Sequence, residues 1–276
     1  MSAPAAALRP AGSAPEASGA GQRLRWALSD TVTLTWRNLV RYVRIPETLF
    51  WSSVQPIMFV LLFRYVFGGA IRTGGVSYVN FLIPGIFIQT IAFGAVNTAI
   101  GLAEDLQKGI IERFRALPMA RAAVLTGRTL ADLARALVVS GIIMGVGYAV
   151  GFRAQTSPAA VLAGVGLLLL FSYALSWGFA VVGLVAPNSE TAQVMAFPVL
   201  FPLTFASSAF VPVATMPHWL HGFADYQPVS VVCDAVRALM IGGPTSTSLW
   251  RAIAWALGIV AVLAPVAVRR YRRLDR

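Results

Sequence analysis

Long apolar runs separated by short polar stretches dominate the chain from Leu49 onward. Six runs approach twenty residues: about Leu49 to Phe67, Asn80 to Leu102, Leu130 to Gly151, Ala159 to Val185, Thr191 to Pro212 and Trp250 to Val268. At 1.5 Å per residue a helix of such length crosses a hydrocarbon layer of about 30 Å. The pattern predicts an all-α polytopic membrane protein with six transmembrane helices. Pro56, Pro84, Pro198 and Pro202 fall within spans, where packed neighbours can satisfy the freed backbone groups. In the third span Gly141 and Gly145, and Gly147 and Gly151, have the spacing that lets two helices approach closely.

Three stretches break this pattern. Ahead of the first span, "SDTVTLTWRNLVRYVRIPE" places Val32, Trp36, Leu39 and Val43 at helical spacing, with Arg37, Arg41 and Arg44 in a parallel stripe. This predicts an interfacial helix over 29–45, its apolar groups in lipid and its arginines reaching for headgroups. Ser29 or Asp30 would cap it and Pro46 would end it. The second stretch, "PVSVVCDAVRALMI" from Pro228 to Ile241, is apolar but has only 14 residues. It is too short to span, and reads as a re-entrant or surface-lying helix of the outer face, closed by Gly242, Gly243 and Pro244.

The third is "EDLQKGIIERFRALPMAR", Glu104 to Arg121. Projected at 100° per residue, Leu106, Ile110, Phe114 and Leu117 form a narrow apolar stripe, with Glu104, Lys108, Glu112 and Arg115 on the opposite side. The spacing predicts a short amphipathic helix ended by Pro118, with Gly109 a weak point of about 1 kcal/mol. Its stripe could meet lipid or the groove of another protein. A helix lying on anionic lipid carries mostly basic residues, whereas Glu104, Asp105 and Glu112 would be repelled. Mixed charge suits a protein partner, where it sets register.

Composition fits a membrane protein: 57% of the 276 residues are hydrophobic, 12% are charged, and mean hydropathy is +0.71. A soluble domain carries about 25% charged residues. The net charge of +11 would suggest nucleic acid in a soluble chain, but its placement argues otherwise. With the N-terminus inside, the inner segments hold Arg9, Arg23, Arg25, Arg37, Arg41 and Arg44, then Lys108, Arg113, Arg115, Arg121 and Arg128, then Arg269, Arg270, Arg272, Arg273 and Arg276. The outer segments hold Arg72, Arg153, Arg237 and Arg251, while Arg64 and Arg135 lie near span ends. The positive-inside rule then puts both termini in the cytoplasm, and membrane lipid rather than nucleic acid accounts for the basicity. Residues 1–22, rich in Ala, Pro, Gly and Ser, read as a disordered cytoplasmic tail ahead of a transmembrane domain over 23–276.

Catalytic and cofactor chemistry is hard to find. A P-loop needs a lysine in GxxxxGK[ST], and the sole lysine, Lys108, sits in "DLQKGI". One cysteine, Cys233, offers no thiolate cluster, and His218 with His221 lacks the further ligands a zinc site wants, leaving "PHWLH" as an interfacial segment anchored by Trp219. No catalytic, cofactor or metal residue is therefore assigned. Ion-coupled transport usually places an acid in mid-membrane. Asp132 and Glu190 read as lying at inner span ends, which weakens the alternative of a secondary transporter. Asp132 with Arg135, and Asp234 with Arg237, are spaced as local pairs. Gln55, Gln89, Asn97, Ser172, Ser176 and Gln193 are polar residues within spans; they could line a substrate path or bond between helices, and the four amides are the candidates for the path.

From about Thr35 to the C-terminus the chain resembles the ABC-2-type exporter permeases, the class that includes daunorubicin-resistance and nodulation-type export permeases. The resemblance is carried by "EDLQKGIIERFRALPMARAAVLTGRTLADL", "TWRNLVRYVRIPETLFWSSVQPIMFVLLFRYVFG", "FLIPGI" and "FVPVATMPHWLHGFADYQPVSVVCDAVRALMIGG". Gln227 stands where the family usually has Asn before Pro, and Val231 where an aromatic is common. The resemblance implies a coupling helix between spans two and three, comprising Glu104, Leu106, Lys108, Ile110, Glu112, Phe114, Arg115 and Leu117, and re-entrant helices before span six. It implies the permease subunit of an exporter in a bacterial plasma membrane. Two separate ATP-binding subunits would hold ATP and Mg, and a second permease copy or paralogue would complete the assembly.

Overall fold

The computed structural model describes residues 20–44, 46–71, 73, 75–109 and 121–273. Nine α-helices and no strand occur among the described residues. They are α1 (Ala20–Arg44), α2 (Pro46–Leu62), α3 (Tyr78–Gln107), α4 (Arg121–Ala149), α5 (Pro158–Val185), α6 (Ser189–Phe205), α7 (His218–Tyr226), α8 (Pro228–Ile241) and α9 (Ser246–Arg273). A π-helical turn, Phe63–Phe67, extends α2.

Among the described residues, five stretches are long and apolar enough to cross a membrane: Phe50–Phe67, Tyr78–Gln107, Ala123–Ala149, Pro158–Val185 and Ser246–Tyr271. The expected span at 191–212 is shorter. Here α6 has 17 residues, starting where the Asn188 side chain accepts the Thr191 amide at 2.6 Å and stopping at Phe205. Pro198 and Pro202 have removed two backbone donors from it, and residues 206–212 continue as bends and turns.

The hub is α3. Its apolar window is 89% buried, and it packs against α2, α4, α5, α6 and α8. Nothing in its sequence marks one face for burial, because it is apolar on all sides. Around it, α5 packs on α9 and α8, while α1 lies along α4.

Helix α1 starts at Ala20, earlier than the expected 29, so residues 20–22 are helical rather than tail; residues 1–19 lie outside the described residues. Ser29 is not a cap: it lies inside α1, where its carbonyl accepts the Thr33 hydroxyl at 2.9 Å. Val32 and Trp36 point outward, Trp36 being 68% exposed, while Leu34 is buried where α1 meets Gly127 of α4. Pro46 begins α2 immediately after α1 ends at Arg44.

The glycine pairs of α4 behave differently from the spacing argument. A methyl at Gly141 or Gly145 would meet nothing within 4 Å, and only Gly147 faces a neighbour, the Ile83 side chain at 3.3 Å. The closest crossing is elsewhere: at Gly85 a Cβ would run into the backbone carbonyl of Ala209. There the 206–212 linker presses directly on α3.

Candidate functional site: a polar cavity beside the α3–α4 seam

A cavity of about 480 Å³ opens between α2, α3, α4 and α6, with Asn38 of α1 also on its wall. The four amides within spans line it, Gln55 from α2, Gln89 and Asn97 from α3, and Gln193 from α6, whereas Ser172 and Ser176 of α5 do not. Asn97 donates to the Gly94 carbonyl at 3.2 Å, whereas the buried Gln89 Oε1 accepts no hydrogen bond. Four aromatic side chains, Trp51, Phe59, Phe93 and Phe197, supply much of the remaining wall.

One wall of the cavity is a register-locked seam between α3 and α4. Gly94 and Gly101 are seven residues apart, as are Arg128 and Arg135, which is two helical turns and hence one face of each helix. Running antiparallel, Gly94 meets Arg135 and Gly101 meets Arg128, each guanidinium occupying the space a Cβ would need. Between the two contacts Thr98 Oγ1 donates to Asp132 Oδ2 at 2.5 Å. Arg128 Nη1 donates to Asp105 Oδ2 at 3.0 Å and Nη2 to the Asn97 carbonyl at 3.3 Å. Arg135 Nη2 donates to the Gly94 carbonyl at 2.8 Å.

Asp132 and Arg135 are 2% and 6% exposed and lie within the apolar Ala123–Ala149 stretch, Arg135 about 18 Å along the helix from Ala123. Both are buried against α3 inside the helix. The signal was present in the sequence as ionisable residues inside an apolar helix, which mark functional positions by default. A buried acid, Asp132, thus lies on the wall of the cavity.

Arg37 Nη2 lies 3.8 Å from Asp105 Oδ2, tying α1 to the seam, while 41% of that side chain stays exposed. Arg44 is exposed; the side chain of Arg41 is outside the described residues. Of the docking residues, Glu104 and Leu106 belong to the last turns of α3, and Lys108 caps that helix and pairs with Glu104. The helix does not run on through this point. Gly109, at φ +64°, turns the chain, its amide bonding the Leu106 carbonyl at 3.1 Å. The projection of 104–117 as one continuous helix is thus corrected at Gly109, where a left-handed residue costs glycine little. Ile110, Glu112, Phe114, Arg115 and Leu117 lie outside the described residues.

On the opposite side, α8 is buried along most of its length and holds the 206–212 linker in place. Gln227 Nε2 donates to the Leu203 and Ala206 carbonyls at 2.9 and 3.3 Å, satisfying acceptors left open as α6 ends. The Ser208 amide bonds Ser230 Oγ at 3.0 Å, and Ser208 Oγ donates to Asp234. Asp234 pairs with Arg237 at 2.7 Å, as its spacing suggested, and the Arg237 guanidinium lies 3.8 Å from the Phe81 ring centroid. Cys233 is fully buried beneath this network, and burial pushes its thiol up to about 11. His221 bonds the Met216 carbonyl, and no metal-holding cluster of three occurs among the described residues.

Comparison with known proteins decides the family. Residues 29–241 match the model of the ABC-2 type transporter. The chain belongs to the ABC-2 type transporter family. Among its relatives, a daunorubicin resistance ABC transporter permease protein of Streptomyces coeruleorubidus is 35% identical over 246 residues, covering 89% of this chain and 87% of the relative. A probable doxorubicin resistance ABC transporter permease protein of Mycobacterium tuberculosis is 28% identical over 262 residues, 92% of each chain. A putative transport permease of Cyanophora paradoxa is 24% identical over 216 residues, 77% of this chain and 74% of the relative. This chain is accordingly a non-catalytic permease subunit of an ABC exporter, a membrane protein that works with an ABC-type ATP-binding subunit.

Proposed function

We propose that this permease moves a hydrophobic or amphipathic compound, of drug, natural-product or lipid-like type, out across a bacterial plasma membrane through the cavity beside α3. The observation that carries the reading is the convergence of Gln55, Gln89, Asn97 and Gln193 with four aromatic side chains on one space. Amides dispersed only for helix bonding have no reason to share a cavity. The permeases named for daunorubicin and doxorubicin resistance support an aromatic amphipathic substrate.

In this reading α6 with residues 206–212 is the fifth of six spans, the basic segments face the cytoplasm, and both termini lie there. Two permease copies, or this chain with a paralogue, pair with two ATP-binding subunits, which hold ATP and Mg. Glu104, Lys108, Glu112 and Arg115 set the docking register, while Leu106, Ile110, Phe114 and Leu117 fill the partner's groove. Movement of that partner reaches the cavity by a short route. Glu104 itself lines the cavity, and Asp105 beside it holds Arg128 and Arg37, so displacement at the end of α3 is felt in α4 and α1.

The test is reconstitution with the ATP-binding partner in proteoliposomes. Wild type is expected to show ATP-driven uptake of doxorubicin and drug-stimulated ATPase activity. Leu106→Asp with Phe114→Asp is expected to abolish both while leaving membrane insertion intact. Uptake that follows a proton or sodium gradient and ignores ATP would replace this reading with secondary transport, which the buried Asp132 could serve.

A further inference from the structure

The two arginines of the seam have their charges met in different ways. Arg128 faces the Asp105 carboxylate at 3.0 Å. Arg135, two turns further into the apolar stretch, makes a single hydrogen bond among the described residues, to the Gly94 carbonyl, and its Nε has no partner. A guanidinium offers five N–H donors and is always charged. Holding one at 6% exposure in a membrane-length helix against one carbonyl is costly unless something else meets the charge.

The cavity is where that can happen. Arg135 lines it together with Gln89, whose Oε1 is a second buried polar atom without a partner. Phe93 and Phe197 stand beside them at a centroid distance of 6.3 Å, nearly perpendicular at 71°. A donor in deficit, an acceptor in deficit and aromatic walls share one space. Gly94 is part of the same device, because any side chain there would meet the Arg135 guanidinium at 2.6 Å.

We propose that Arg135 is the residue by which this cavity selects its substrate. It receives an oxygen acceptor carrying full or partial negative charge (a carboxylate, phenolate or quinone oxygen) on an aromatic body that lies against Phe93 and Phe197. Gln89 Oε1 accepts a hydroxyl of the same molecule. This rests on the cavity being the permease's substrate site.

The experiment compares two xanthene dyes by fluorescence anisotropy on the permease and its ATP-binding partner in nanodiscs. Fluorescein carries phenolate and carboxylate oxygens; rhodamine 6G replaces them with alkylamino and ester groups. Wild type is expected to bind fluorescein more tightly, and Arg135→Gln to weaken fluorescein by about 10-fold or more while rhodamine 6G shifts by less than about twofold. Arg135→Lys, which keeps the charge and tests the case in which the glutamine variant fails to fold, is expected to recover part of the fluorescein affinity only. Equal losses for both dyes would mark Arg135 as a brace between α3 and α4 and overturn the proposal, as would wild-type binding that does not favour fluorescein. ATP-driven dye uptake into inside-out vesicles is measured in parallel. Selective binding without ATP-driven uptake would sink the permease reading and leave the Arg135 assignment standing.

Discussion

Replacing Asp105 by Asn tests the seam at its most loaded point. The carboxylate is 5% exposed at the end of α3, and receives Arg128 at 3.0 Å and Arg37 at 3.8 Å. Asparagine keeps the shape and one acceptor oxygen but removes the charge, leaving the largely buried Arg128 without its counter-ion. Breaking a buried pair from one side costs about 3–5 kcal/mol. The Arg37 contact adds little, because that side chain is 41% exposed and such pairs contribute about 0–1 kcal/mol. At about 2–4 °C per kcal/mol, a loss near 3 kcal/mol lowers the midpoint of thermal unfolding by about 6–12 °C. The assay is a thermal ramp on purified permease followed by tryptophan fluorescence. The companion is Asp105→Leu with Arg128→Met, which removes both charges and is expected to return to within about 1 kcal/mol of wild type. If Asp105→Asn unfolds within about 2 °C of wild type, or the double variant is no better than the single, electrostatic pairing is not what orders this seam.

Further outcomes follow from the outer network. Cys233 is expected to resist maleimide in native membranes at neutral pH and to label fully in denaturant, because burial keeps its thiol protonated up to about 11. With its folded pKa raised above the ordinary 9.0, the thiol contributes stability that is intact below pH 9.0 and lost as pH climbs through about 11, so Cys233→Ala flattens the alkaline limb of a stability profile. Gly85→Ala forces the Ala209 carbonyl away from α3 at about 1–3 kcal/mol, and is read by faster labelling of Cys233. Gln227→Ala strips a bonded amide from the Leu203 and Ala206 carbonyls and costs about 1–3 kcal/mol by thermal ramp.

What the sequence revealed follows from what a bilayer makes visible. Length and apolarity mark α3, α5 and α9 plainly, and α8 runs from Pro228 to Ile241 because Gln–Pro opens it and Gly–Gly closes it. Orientation of faces is another matter. Lipid tails are as apolar as a protein core, so periodicity that separates inside from outside in a soluble helix is silent in α3, which is buried on every side. For the same reason Gly141 and Gly145 looked like a contact, whereas the true close approaches, at Gly85, Gly94 and Gly101, depend on which partner arrives opposite. The four amides could be named from the sequence; their meeting in one cavity could not, since it depends on α2 and α6 coming to flank α3. Nor does the sequence show that Asp132 and Arg135 are buried, because that depends on Thr98 and Gly94 of α3 lying opposite them.

The spacing of the α3–α4 contacts carries a mechanical consequence. A slide by one residue would set the Arg135 guanidinium against a side chain in place of the Gly94 gap and would part Thr98 from Asp132. The two helices are therefore keyed like a ratchet with no free tooth, and any stroke must carry them as one rigid bar. Under the proposed function, a push at the end of α3 would carry both helices together, and the opening of the cavity would change where its other walls, α2 and α6, meet that bar. Phe93 belongs to that bar, whereas Trp51, Phe59 and Phe197 stand on the walls that face it.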